Sequence, residues 1–229
     1  MSTLPFYGRP VAAHGSDTAK ALLSQEAPGP DEDAAGIPSV GRQGNNFYRR
    51  ACDIGVPWAL VLQQWGFVWP CYTPDAAKVA QLPARERARL AHRQRILEER
   101  RKYLTFTNAF NRWPKPRPDA TKGFLEPCIE DILSEVNKAR LRSEVQPQHR
   151  VLLLGGAYSY LAYTGTELAQ PMQREGTRLT KTELDLIERH LGVRFEDAWY
   201  MGHTRRWHMG EKKALVALKE VARLAGWMS

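Results

Sequence analysis

"AKALLSQEAPGPDEDAAG", residues 19–36, runs a short apolar stretch straight into a turn built from glycines, prolines and acids. Ala19 to Ser24 has the length and apolar character of a buried strand, so the turn falls at that strand's carboxyl end. Four carboxylates sit there, Glu26, Asp31, Glu32 and Asp33, in a chain whose net charge is +8. Asp and Glu are favoured in the first turn of a helix, which makes Asp31, Glu32 and Asp33 turn or cap residues before anything else. Glu26 stands apart from them, at the strand end itself.

Working outward, the pattern of strand followed by helix repeats. Arg42 to Val56 spaces Phe47, Ala51 and Ile54 as a helix does. Leu82 to Lys102, "LPARERARLAHRQRILEERRK", combines good helix formers with Pro83 at its start and arginines around most of its circumference, a basic or solvated helix. Tyr103 to Phe110 is a second strand, and the prolines of "NRWPKPRPDATKG" after it predict loop alone. Pro127 to Leu141 is a helix, Arg150 to Leu154 a buried strand, Leu179 to Leu191 a helix, Val193 to Met201 a fourth strand and Glu211 to Ala225 the last helix. The alternation implies an α/β fold, a three-layer αβα sandwich around a central, mostly parallel four-stranded sheet. Met1 to Asp17 reads as a flexible N-terminal arm, and residues 18–229 as a single domain. In such folds ligands gather at the carboxyl ends of the strands, where the acidic turn, Asn108 and His203 all fall.

The totals narrow the function class. With 229 residues and 43% hydrophobic content the chain can bury a real core. A surplus of 33 Lys+Arg over 25 Asp+Glu favours a polyanionic partner, usually nucleic acid, although a dispersed solubilising surface gives the same total. Cys52, Cys71 and Cys128 are widely separated, odd in number and form no CxxC pair, which argues against a zinc ribbon or a disulfide scaffold and for a reducing, cytoplasmic setting. No apolar run is long enough for a membrane helix, so no membrane partner is expected. Nothing implies an obligate protein partner.

"EAPGPDEDAAGIPSVGRQG" (26–44) resembles the first signature of the family 4, iron–sulfur type uracil-DNA glycosylases, and other segments follow in that family's order. "LTFTNAFNRWPKPRP" is similar to its strand ending in Thr-Asn before a proline-rich loop, "EPCIEDIL" to the next helix with its cysteine, "RVLLLGGAYSYLAYTG" to its buried strand and Gly-Ala turn. "GHTRRWH" stands where the family carries a His-Pro-Ser loop. The resemblance covers roughly Ala19 to Ser229. It implies a monofunctional DNA glycosylase that flips a nucleotide from the stack and hydrolyses its N-glycosidic bond. Glu26 is then the catalytic carboxylate beside C1′, stabilising an oxocarbenium-like sugar. Its alternative role is to accept nearby backbone N–H groups. Asn108 takes the base-reading position, its amide offering a donor and an acceptor together, or else caps the loop as a turn residue. Ala27, Gly29 and Ser39 line the base. His203 takes the place of the family's His, which donates to the pyrimidine O2. Trp207 replaces the wedging leucine or packs in the core, and Arg205 and Arg206 beside it are phosphate clamps.

The departures matter as much. The family's cluster needs four cysteines, the N-terminal arm has none, Arg112 stands at the third position and only Cys128 matches, so no metal and no other cofactor is expected. Ser39 replaces the aromatic that stacks on uracil, which forfeits roughly 1–3 kcal/mol of stacking unless Phe47, Trp113 or another ring covers the base. Together with Gly29 it opens the base site. An insertion at about residues 57–101 brings tryptophans and the basic helix, either to grip DNA or to pack on the core as a lid. The expected substrate is a bulky C5-modified pyrimidine in DNA, such as hydroxymethylcytosine or its glucosylated form in phage genomes, with antiviral defence as the setting. A repair enzyme for uracil or a damaged pyrimidine, and a DNA-binding protein that kept the fold without catalysis, are the alternatives.

Overall fold

The computed structural model describes residues 7–40, 42–64, 80–81, 83–114, 127–202 and 211–228. In chain order its elements are β1 (Tyr7–Pro10), β2 (Ala21–Gln25), α1 (Pro30–Ala35), α2 (Arg42–Asp53), α3 (Pro57–Gln64), α4 (Ala84–Arg101), β3 (Leu104–Asn108), β4 (Arg112–Pro114), α5 (Ile129–Ile132), α6 (Glu135–Glu144), β5 (Val151–Gly155), α7 (Ala157–Thr164), α8 (Pro171–Arg174), β6 (Thr177–Arg178), α9 (Lys181–Leu191), β7 (Asp197–Tyr200) and α10 (Glu211–Leu224).

The apolar run of the opening stretch becomes β2, all five of whose residues are buried. Successive side chains of a strand face opposite sides, and β2 shows it directly. Leu22 packs with Leu152, Ile132, Leu141 and Ile187, whereas Leu23 packs with Phe47, Phe106, Leu153 and Leu218. Each side of the sheet is therefore covered by helices. α2, α3, α4 and α10 close one face and α5, α6, α7 and α9 the other. The strand order is β3-β2-β5-β7-β6. The first four strands run parallel, and β6 is antiparallel to β7.

The sheet is mixed and has five strands, one more than the sequence predicts. The extra strand, β6, has two residues, too few for any period-two pattern to register, and is aligned when Gly176, at φ 71°, turns its N–H to the Tyr200 carbonyl at 2.8 Å. The N-terminal arm also differs from expectation from residue 7 onward. β1 pairs antiparallel with β4, and His14 exchanges backbone hydrogen bonds with Phe106 at 2.9 and 3.0 Å. β4 lies in the proline-rich stretch expected to be loop alone. Its Pro114 sits at the end of a two-stranded ribbon, a position where a missing N–H does little harm. Among the described residues no helix is long and apolar enough to cross a membrane.

Parts of the segment at about residues 57–101, expected to be an insertion, join the core. Trp58 of α3 stacks on Tyr103 with ring centroids 5.5 Å apart and meets Trp227 edge-on. Ile96, Leu97 and Arg100 of α4 are buried, while Arg85, Arg87 and Arg95 are exposed. The helix thus packs on the core at one end and presents arginines to the surface at the other.

Candidate active site

Three parallel strands end side by side. Gln25 closes β2, with Asn108 of β3 as its register partner on one flank and Gly155 of β5 on the other. Past these ends the Gln25 carbonyl accepts from Ala109 N–H at 2.5 Å, and the Glu26 carbonyl from Phe110 N–H at 3.0 Å, so the chain leaving β2 is stitched to the chain leaving β3. Arg140 adds a bond to the Asn108 carbonyl at 2.8 Å and Asn137 one to the Ala109 carbonyl at 2.8 Å. The backbone of Asn108 is pinned, and its side chain is not. Asn108 is completely buried, Gln25 nearly so, and all four side-chain amide atoms of the pair lack a hydrogen-bond partner among the described residues. Leaving a buried amide unpaired costs about 1–3 kcal/mol for each group, and a bound ligand that pairs with it would recover that cost.

Glu26 follows directly and turns toward α7. Its carboxylate accepts from Tyr158 N–H at 3.4 Å, at the positive end of that helix. Gly156 makes this approach possible: its backbone is left-handed, at φ 123°, and a Cβ there would collide with the Glu26 carboxyl. Ala27 and Gly29 continue the turn, both partly buried. A Cβ on Gly29 would meet only the Glu32 carboxyl, at 3.8 Å, so this position leaves room beside the turn.

Glu32 and Asp33, farther along the turn, have structural work. Glu32 is buried and caps the start of α1, accepting Gly29 N–H at 2.7 Å and the N–H of Ser39 with its second oxygen. Burial pushes its carboxyl up to about 7, against the pull of those two amides and of the nearby Arg100 charge. Asp33 accepts Arg9 N–H at 2.7 Å, tying β1 onto α1, and the Arg9 guanidinium reaches the carbonyls of Asp33 and Ala34.

Ser39 is buried, and its carbonyl and that of Pro38 accept from Arg100 at 3.1 and 3.0 Å. Arg100 also donates to the Tyr48 hydroxyl at 2.8 Å and lies over the Phe106 ring, 4.2 Å from its centroid. Its remaining bond, to His14 Nδ1 at 3.2 Å, requires that nitrogen to be unprotonated, because a guanidinium can only donate. Burial and the Arg100 charge accordingly hold the His14 imidazole down at about 3. Phe106 and Asn108 stand two residues apart on one face of β3, so the residue that carries the ring under Arg100 is about 7 Å along the strand from Asn108. Phe47 is wholly buried, edge-on to Phe106 at 5.6 Å.

The structure therefore places Glu26, Asn108, Ala27 and Gly29 at and just beyond the ends of β2 and β3, and ties Ser39 to that turn through Glu32 and to Phe106 of β3 through Arg100. His203, Arg205, Arg206 and Trp207 lie outside the described residues, as do Cys71 and the side chain of Trp113; Met201, shortly before the first four, bonds the Leu154 carbonyl at the end of β5 with its N–H at 2.9 Å. Cys128 is exposed and donates to Glu130, and Cys52 is buried and donates to the Ala59 carbonyl at 3.3 Å. Three residues of the site escape the sequence reading. Gln25 looks like the polar end of a strand, Gly156 like one of two turn glycines, and Arg100 like any arginine of a basic helix. Compared with protein-family models and with curated proteins, the chain finds no match.

Proposed function

We propose that the chain is a monofunctional DNA glycosylase that extrudes a modified pyrimidine and hydrolyses its N-glycosidic bond, leaving an abasic site. The observation that carries this reading is the pairing of a carboxylate with two buried, unsatisfied side-chain amides at the ends of adjacent parallel strands. An amide presents a donor and an acceptor in one plane, the complement of a pyrimidine's Watson–Crick edge, and either orientation of the amide suits cytosine or uracil. The carboxylate matches the charge of the reaction. As the C1′–N1 bond breaks, its electron pair leaves with the base and C1′ becomes cationic. Glu26 stabilises that cation and takes the proton of the water that adds to C1′. The departing anion is held by the Asn108 amide N–H and by His203, and solvent protonates it. Water is the only co-reactant.

The room left at Gly29 and the serine at position 39 support a base larger than uracil, such as hydroxymethylcytosine or its glucosylated form. The basic surface of α4 and the arginines at 205 and 206 supply phosphate contacts, so the partner is DNA. Defence against phages that modify their cytosines is the setting we propose.

Duplex and single-stranded oligonucleotides bearing uracil, 5-hydroxymethylcytosine or its glucosylated form, incubated with the protein and then cut with alkali at abasic sites, test the reading. Cleavage of the hydroxymethylated or glucosylated strands is the expected result. Cleavage confined to uracil would make it a repair enzyme, and binding without cleavage of any strand would leave a non-catalytic DNA-binding protein.

A further inference from the structure

Ser39 is built at a cost the fold does not need. Its backbone is left-handed, φ 57°, where a Cβ is unfavourable and glycine is not. Its peptide is gripped at both ends, the N–H by the Glu32 carboxylate and the carbonyl by Arg100. Gly44 is packed so closely beneath that a Cβ on it would collide with the Ser39 carbonyl. Arg100 is in turn fixed by Tyr48, His14 and the Phe106 ring. The product of this grip is one buried hydroxyl with no hydrogen-bond partner. A buried unpaired hydroxyl and a strained backbone are both liabilities, and glycine at this position would remove both.

We propose that Ser39, clamped between Glu32 and Arg100, is a specificity-determining residue whose hydroxyl hydrogen-bonds a polar substituent of the base read by Gln25 and Asn108. The proposal rests on the glycosylase reading and narrows it. The substrate class is a pyrimidine carrying an oxygen on its C5 substituent, since a hydroxyl can donate to or accept from such an oxygen and does nothing for a methyl group. Glu32 and Arg100 are positioning residues, acting through the Ser39 peptide.

The test measures kcat/KM for base release from duplexes carrying 5-methylcytosine, 5-hydroxymethylcytosine or glucosylated 5-hydroxymethylcytosine. Ser39→Ala should lower about tenfold the ratio of the value on the better of the two oxygen-bearing strands to that on the 5-methylcytosine strand, or to the detection limit there. Ser39→Gly should lose the same factor while unfolding at a higher urea concentration than wild type, because glycine relieves the backbone. That opposition of stability and selectivity is what a merely structural serine would not produce. Arg100→Lys, lacking the planar fork that holds two carbonyls, should share the selectivity loss. If it does not fold, the two serine variants decide. Wild-type protein that releases base while Ser39→Ala keeps the wild-type preference overturns this proposal alone. Wild-type protein that releases nothing from any strand removes the glycosylase reading, and the proposal with it.

Discussion

Glu26 and Asn108 differ in what holds them, and the difference predicts how each fails. Glu26 leans on the amide of Tyr158 over a glycine, so its position depends on Gly156 having no side chain. Gly156→Ala should push the carboxylate aside and lower base release by roughly tenfold or more with DNA affinity retained, a split that single-turnover kinetics alongside a filter-binding titration would show. Glu26→Gln, which keeps size and loses charge, should cost about 100-fold or more in turnover, in line with other groups that stabilise charge in a transition state. Asn108→Ala should abolish release too, yet the variant should be no less stable by urea melt, because the deleted amide has no partner in the protein. An ordinary buried asparagine would lose about 1 kcal/mol or more. The placement of Glu26 and Asn108 at strand ends was legible in the sequence, because the apolar runs visibly stop there. Gln25 and Arg100 were not. Nothing in "ERR" separates the arginine that enters the core from those that stay in solvent, since that depends on which face of α4 meets Phe106.

At the scale of elements, long periodic segments were read correctly and short pairings were missed. The four parallel strands and the helices between them follow from hydrophobic runs and helix formers. β1, β4 and β6, of four, three and two residues, form because a partner strand lies beside them, information that no local window contains. The single helix expected over 127–141 divides at Leu133, and Ser134 restarts it by accepting Asn137 N–H at 3.2 Å. α9 shows how much such caps hold. Thr180 accepts Glu183 N–H at 3.3 Å while the Glu183 carboxylate takes Thr180 N–H at 2.7 Å, the Tyr160 hydroxyl at 2.9 Å and Arg174 at 3.0 Å. Thr180→Ala should cost about 1 kcal/mol in a urea melt. α4 carries the element-level test of DNA binding. Replacing its exposed Arg85 and Arg95 with Gln should weaken binding equally for modified and unmodified DNA, and should flatten the plot of log affinity against log salt by up to ~0.9 for each phosphate that is no longer neutralised.

For the whole molecule, pH is the informative variable. His149 is buried between Gln146 N–H, which donates to its Nδ1 at 3.0 Å, and the Thr105 hydroxyl at 2.8 Å, and burial lowers its imidazole to about 4. His14 is lower still, at about 3. Both are neutral when folded and protonate near 6.5 when unfolded, so their stabilisation is complete above pH 6.5 and drains away as pH falls toward the folded values. Glu32 acts in the other direction. Its raised carboxyl stabilises the fold most below 4.5 and loses that contribution as pH rises through about 7. Two losses against one gain leave a net decline on the order of 2 kcal/mol between pH 6.5 and 5, visible as a falling urea midpoint. His149→Gln should shrink that decline, and an unchanged slope would show that His149 is not one of its sources. The same view of the molecule gives the buried guanidinium of α4 a meaning beyond its local bonds. With Arg100 gone, the carbonyls of Pro38 and Ser39 and the Tyr48 hydroxyl would lose their shared donor at once. The segment between α2 and β3 is therefore no detachable cassette: a chimera that swaps it must carry a donor to the same spot or fasten the Ser39 loop some other way.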